Sequence, residues 1–368
     1  MKKNMFISSI LLSIEVLLSS SMLQAQDVKY TDARDLTLVG KAVATPEFYH
    51  RLDTVKYTDL PPKIKYLATQ STGLAIGFKT NSKSISAKWV IKPDKVSANL
   101  TAIAQKGLDL YIKRNGVWEF AAIGKPALDS DSSRCNLISD MDGTEKECLL
   151  YLPIFSETKQ LEIGTDSLSD IEALPYPFDK KILIYGSSIV HGAEASRAGT
   201  TYVSKLSRRT GLNFINLGFS GNARMENVLA DYLADTDADA YILDCVPNAT
   251  AAEITGRTVY MIETIRNKHP EAPIIVMQSI IMDIGNFSLK EKENIRIKNE
   301  TMRTEVENLK KAGVEKLYFI EGTDLVGSDH EGTGDGIHPN DLGFERMAGY
   351  LQPILEDVLK KNNILNIK

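Results

Sequence analysis

Cysteine is scarce in this chain: Cys135, Cys148 and Cys245 are the only three among 368 residues. So few cannot staple a chain of this length, which excludes a disulfide scaffold, and their spacing matches no metal-site pattern. Cys135 and Cys148 lie in one segment and could pair if oxidised, whereas Cys245 ends an apolar run and is expected to be a buried thiol. An excess of positive charge is also missing. Lys and Arg number 43 against 48 Asp and Glu and are scattered, so no face is built to hold a nucleic acid. Internal repeats and low-complexity tracts are absent, which excludes a solenoid. Long hydrophobic runs are lacking too. The most apolar stretch, residues 5–18, contains Glu15 and is shorter than the roughly 20 residues a membrane-spanning helix needs. With Lys2 and Lys3 before it and Leu23-Gln24-Ala25-Gln26 after it, residues 1–25 have the order of a secretory signal peptide. No cysteine follows to carry a lipid. The expectation is a cleaved leader, no stable membrane span afterwards, and a periplasmic or secreted protein.

The remainder divides near Pro175. From residue 27 to about 170 the signals are of strands: 73–78, 84–90, 108–112, 117–120 and 159–164 are alternating or β-rich. Asn115-Gly116 between two of these runs is the strongest short-range hairpin signal. No long helical period interrupts them, so residues 27–175 are expected to form a β-sandwich. Within 178–368 the pattern changes. Apolar runs at 182–185, 214–217, 240–245, 274–277 and 317–320 alternate with helical segments at 202–209, 225–233, 253–268 and 290–311. That alternation predicts a parallel sheet covered on both faces.

Chemistry is concentrated at the ends of these apolar runs. Gly186-Ser187-Ser188-Ile189-Val190-His191-Gly192 places a serine pair on a turn at a strand's carboxyl end, where ligands of open α/β sheets bind. Of five histidines, His338 alone has a carboxylate three residues earlier in a Gly/Pro-punctuated loop, Asp335-Gly336-Ile337-His338-Pro339-Asn340. Asp335 can there hydrogen-bond the imidazole and hold one tautomer. A serine hydroxyl is a weak nucleophile until such a base takes its proton. Two further strand ends offer donors for a developing oxyanion. Gly218-Phe219-Ser220-Gly221-Asn222 has glycines that permit close backbone approach, and Cys245-Val246-Pro247-Asn248 presents a side-chain amide. Gly218 and Gly221 could equally be plain turn residues, and Asn248 a cap for the helix that follows. Asn248-Ala249-Thr250 also spells a glycosylation sequon, which must stay unmodified if Asn248 serves the site.

Taken in order, Gly186-Ser187-Ser188, Gly221, Asn248 and Asp335-x-x-His338 resemble the four blocks of the SGNH or GDSL-type esterase superfamily. The resemblance spans about residues 180–359 and implies a flavodoxin-like α/β/α sandwich. It also implies that Ser188 is the nucleophile, His338 the base and Asp335 its partner, with Ser188, Gly221 and Asn248 forming the oxyanion hole. The chain has Ser187 where many members have Asp, and Cys245-Val246-Pro247-Asn248 where many have Gly-x-Asn-Asp, which leaves Ser187 and Ser188 both open as nucleophile. Gly107-Leu108-Asp109-Leu110-Tyr111 is similar to the motif of a subgroup with an N-terminal β-sandwich domain. In strand geometry Leu108 and Leu110 share one face and Asp109 and Tyr111 the other; the strand is either a packed hairpin or a wall of the substrate pocket.

The resemblance implies an exported serine esterase acting through an acyl-enzyme, without metal or organic cofactor, on acyl esters of small molecules or glycans, acetyl esters of carbohydrates by default. An acyltransferase with the same triad, or an inactive carbohydrate-binding protein, are the alternatives.

Overall fold

The computed structural model describes residues 27–93, 97–323 and 325–365; the expected leader lies outside them. Among the described residues ten strands fall in the first half: β1 (Val28–Asp32), β2 (Thr37–Val39), β3 (Ala75–Thr80), β4 (Ile85–Ile91), β5 (Leu108–Arg114), β6 (Val117–Gly124), β7 (Ser132–Ile138), β8 (Lys146–Tyr151), β9 (Thr158–Asp166) and β10 (Ile171–Ala173). One antiparallel sheet runs β1-β9-β4-β7 and the other β10-β3-β8-β5-β6, with β2 pairing β3 as well. Between them lie Ile76, Phe78, Leu150, Trp89 and Ile163, all buried. The Asn115-Gly116 turn joins β5 to β6 with φ of 52° and 78°, the two positive values a two-residue hairpin turn needs. Cys135 on β7 and Cys148 on β8 belong to different sheets and, like Cys245, are free thiols. The pairing left open by their closeness in sequence is not made.

The second of these sheets is covered on both faces along its central strands β3, β8 and β5, and β5 shows how. Leu108 and Leu110 enter the sandwich core, while Tyr111 on the opposite face joins a second core shared with the rest of the chain. Asp109, also buried, accepts two hydrogen bonds from Arg197 Nη1 at 2.9 and 2.8 Å and one from the Gly199 amide at 2.7 Å. The same guanidinium reaches the Tyr111 hydroxyl at 2.7 Å and stacks over Phe120, 4.0 Å from its centroid. The alternation read from the Gly-x-Asp-Leu-Tyr run thus becomes a clamp between the two halves.

The second half is built on β11 (Asp179–Gly186), β12 (Leu212–Gly218), β13 (Ala240–Asp244), β14 (Ile274–Met277) and β15 (Leu317–Ile320), all parallel in the order β12-β11-β13-β14-β15. This is the flavodoxin-like order. These strands read as continuous apolar runs because both their faces are covered. On β11, Ile182 and Ile184 face one core and Leu183 and Tyr185 the other. Two short helices of the first half, α1 (Pro62–Thr69) and α2 (Ala102–Lys106), precede α3 (Ser188–His191), α4 (Tyr202–Thr210), α5 (Asn227–Ala234), α6 (Ala251–Lys268), α7 (Leu289–Lys311) and α8 (Asp341–Lys361). Helices α4 and α8 cover one face of the sheet; α5, α6 and α7 cover the other. Ile64, Leu67 and Ala68 of α1 pack on that second face too, a contribution invisible in the strand-rich reading of the first half. Among the described residues no helix is long and apolar enough to cross a membrane.

Candidate active site

Three turns meet at one edge of the parallel sheet because the strands that carry them are neighbours in register. Gly186 at the end of β11 pairs with Gly218 at the end of β12 and with Asp244 at the end of β13. The chain after each therefore emerges side by side, at the carboxyl edge where such sheets bind ligands. Gly218 permits this crowding: a Cβ there would stand 2.1 Å from the His191 amide nitrogen.

The serine pair is resolved by the backbone. Ser187 is fully buried as the N-cap of α3, its Oγ accepting the Ile189 amide at 3.2 Å. Ser188 begins the helix, and its Oγ lies 2.8 Å from His338 Nε2. A capping hydroxyl is occupied as an acceptor and faces the backbone. Only Ser188 meets the imidazole.

The loop carrying His338 is closed by a bridge between Thr333 and Pro339, and Asn340 caps α8 through the Gly343 amide at 3.0 Å. Inside it Asp335 Oδ1 accepts the amides of Ile337 and His338 at 3.0 and 2.8 Å, while Oδ2 lies 2.8 Å from His338 Nδ1. A carboxylate only accepts, so Nδ1 carries the proton and Nε2 is left to accept from Ser188. Burial works to raise the Asp335 pKa, but the His338 amide and ring outweigh it and hold the carboxyl below the usual range. The acid stays ionised at neutral pH.

Gly221 has φ of +70° on the turn after β12, and its amide has no hydrogen-bond partner among the described residues. The Ser188 amide, at the first position of α3, is likewise free of one. Asn248 is not the helix cap. Thr250 caps α6 in a capping box with Glu253, and the Asn248 Nδ2 donates to the Asn222 carbonyl at 2.6 Å. A primary amide has two N–H groups, so one orients the side chain and the other remains available. The five residues singled out by the motifs thus occur as one hydrogen-bonded triad and two donors on adjacent turns.

These observations can be set against known proteins. A family model described as GDSL-like Lipase/Acylhydrolase family matches residues 179–356, and one described as the N-terminus of Esterase_SGNH_hydro-type matches residues 28–171. A candidate GDSL-like lipase from Bacteroides ovatus ATCC 8483 shares 51% identity over 91% of this chain and 98% of its own, with a TM-score of 0.89. The chain belongs to the GDSL-like lipase/acylhydrolase family. A salicylyl-acyltransferase from a tetracycline biosynthetic pathway shares the fold at 19% identity and a TM-score of 0.72, covering 90% of this chain and 97% of that one. So does a family two carbohydrate esterase from Clostridium thermocellum, at 14% identity and a TM-score of 0.59 over 80% of this chain and 94% of its own. No curated protein matches the sequence.

In this GDSL-like protein the wall of the site comes largely from the first half of the chain. A cavity of about 370 Å³ beside His338 and Ser220 is lined by Lys63, Gln70, Asn99 and Phe155. None of these stood out in the sequence. Nor did Arg51, a buried guanidinium that donates to the carbonyls of Leu67, Gln70, Asn216 and Gly218 at 2.7 to 3.0 Å. Glu194 was also silent. Its carboxylate lies with those of Asp335 and the His338 ring in a group whose ligand atoms are all within 4.8 Å of one another. Burial, and then the neighbouring Asp335, raise its pKa. It therefore keeps its proton to a higher pH than an ordinary glutamate.

Proposed function

We propose that this protein is an exported serine esterase that removes small acyl groups, acetyl in the first place, from hydroxylated substrates such as glycans. The observation that carries the reading is the Ser188-His338-Asp335 relay, with both hydrogen bonds at 2.8 Å, facing turns that hold unspent donors. Ser188 Oγ attacks the ester carbonyl as its proton passes to His338 Nε2, and Asp335 steadies the resulting imidazolium. The amides of Ser188 and Gly221 and the second N–H of Asn248 receive the oxyanion; each such donor supplies on the order of 3 kcal/mol. Nε2 then protonates the leaving alcohol, and water repeats the cycle on the acyl-enzyme.

The cavity supports the substrate class. At about 370 Å³ it lies near the small end of ligand sites, which run from about 300 to 1,000 Å³. Its wall includes Gln70, whose Oε1 is buried without a partner. On its other side the Gln70 amide donates to the Phe155 carbonyl at 3.1 Å, which ties two residues of that wall together. Export rests on the composition of residues 1–25. The test is a panel of esters, p-nitrophenyl acetate, longer acyl chains and acetylated oligosaccharides, assayed with and without alcohol acceptors. Preferential release of acetate to water supports the reading. Acyl transfer to the alcohol in preference to water would instead make the protein an acyltransferase. Recovery of a mature chain beginning at Gln26 from the periplasm or medium would support export; a cytoplasmic chain retaining Met1 would oppose it.

A further inference from the structure

His191 is a completely buried histidine with no part in the relay, placed between the sandwich and the turn that carries Gly221. Its ring lies flat on Phe155, centroids 4.2 Å apart and planes within 3°. Nε2 is 3.1 Å from the carbonyl oxygen of Ile154. A carbonyl only accepts, so that nitrogen bears the proton and Nδ1 presents a lone pair. The Ser220 amide donates to it at 3.4 Å. The His191 carbonyl in turn accepts the Thr72 hydroxyl at 2.6 Å. Burial, helped by the charge of Arg51, pulls the His191 pKa well below the ordinary value, which keeps the ring neutral.

The surrounding turn is held at each peptide. Phe219 donates its amide to the Gly186 carbonyl at 2.8 Å, and Asn222 Nδ2 donates to the Ser220 carbonyl at 2.9 Å. In a trans peptide the N–H points away from the C=O. Fixing the Ser220 carbonyl on one side therefore fixes the direction of the Gly221 N–H on the other. The peptide before it is held on both sides: the Phe219 carbonyl accepts the Asn222 amide at 2.9 Å, and the Ser220 amide donates to the His191 ring, the one anchor of that peptide that comes from outside the turn.

We propose that His191 is a positioning residue: with its proton kept on Nε2 by the Ile154 carbonyl, it anchors Ser220 and so aims the Gly221 amide, and through it the sandwich sets the rate of turnover without touching the reacting atoms. This rests on Gly221 acting as an oxyanion donor. Because the role depends on Nδ1 alone, the amide isosteres separate it from packing. Asparagine places its carbonyl oxygen near Nδ1, whereas glutamine reaches the position of Nε2.

The experiment compares His191→Asn and His191→Gln on p-nitrophenyl acetate, with melting temperatures and with Ser188→Ala as the floor. Complete loss of an oxyanion donor costs about 10²–10³ in kcat. We expect His191→Gln to lose kcat about ten- to a hundredfold at little changed KM, a partial loss on that scale. His191→Asn should keep a kcat at least about fivefold above it, whatever their order in thermal stability. Equal kcat values, or kcat simply following melting temperature, would overturn the role of His191. Turnover surviving in Ser188→Ala would place the fault in the reading of the site, and the inference would fall with it. Should either variant fail to fold, long-range proton-nitrogen spectra of the wild-type protein decide the matter: a ring protonated on Nε2 alone at neutral pH is required, and protonation of Nδ1 overturns the proposal.

Discussion

Replacing Asn248 with alanine separates an oxyanion donor from a structural residue. The side chain makes one hydrogen bond, 2.6 Å to the Asn222 carbonyl, and its loss costs about 1 kcal/mol of stability. Nothing is added for a lost helix cap, because Thr250 fills that position. For a unit of this size about 1 kcal/mol lowers the melting temperature by roughly 2–4 °C. Against that, the N–H left over for the oxyanion supplies on the order of 3 kcal/mol in the transition state alone. The expected result for Asn248→Ala is therefore a fall in kcat of about 10²–10³ with KM little changed and a small drop in melting temperature. Thr250→Ala provides the opposite control, a loss of about 1 kcal/mol of stability with kcat intact. Steady-state kinetics on an acetyl ester and thermal melts of both variants suffice. A kcat for Asn248→Ala within about threefold of wild type, far short of the loss expected of a donor, would refute the assignment and weaken the oxyanion site around it.

Ser188→Ala should abolish labelling by a fluorophosphonate, while Ser187→Ala, which removes only a cap, should keep labelling and turnover with a stability loss of about 1 kcal/mol; the reverse pattern would name the other hydroxyl. Alkylation of the unfolded, unreduced protein should modify all three cysteines, and in the folded protein Cys135 should react first, since Cys148 is buried and burial pushes its thiol up to about 12. Fewer than three modified thiols on mass spectrometry would reveal a bridge. Asp109→Ala leaves Arg197 in a largely apolar clamp without its partner, and chemical denaturation should register a loss of about 3–5 kcal/mol; a loss under about 1 kcal/mol, the range of exposed pairs, would mean the clamp is not a stabilising contact.

What could be read from the sequence, and what could not, follows from where the partners lie. Strands such as β11 and β13 announce themselves because both faces are buried, and the turn at Asn115-Gly116 because positive φ restricts the residue types allowed. The antiparallel β7 and β8 carry mixed polar and apolar residues and gave no comparable signal. Helix α1 is only eight residues long, too short for a period to stand out. At the site, the residue types of the relay are readable because chemistry demands them. The choice between Ser187 and Ser188 was not, since it depends on which hydroxyl the backbone of α3 takes as its cap. Arg51 and the role of His191 carry no sequence signal for a related reason. Their partners are mostly main-chain atoms, the carbonyls of Asn216, Gly218 and Ile154, and every sequence presents those.

The most direct test of the account is to trap the intermediate. Wild-type protein mixed with p-nitrophenyl acetate should release a burst of p-nitrophenol equal to the enzyme present, and rapid acid quench followed by peptide mass spectrometry should find one acetyl group on Ser188. Asn248→Ala should form the same adduct more slowly. An adduct on Ser187 or another side chain, or turnover that survives in Ser188→Ala, would contradict the account.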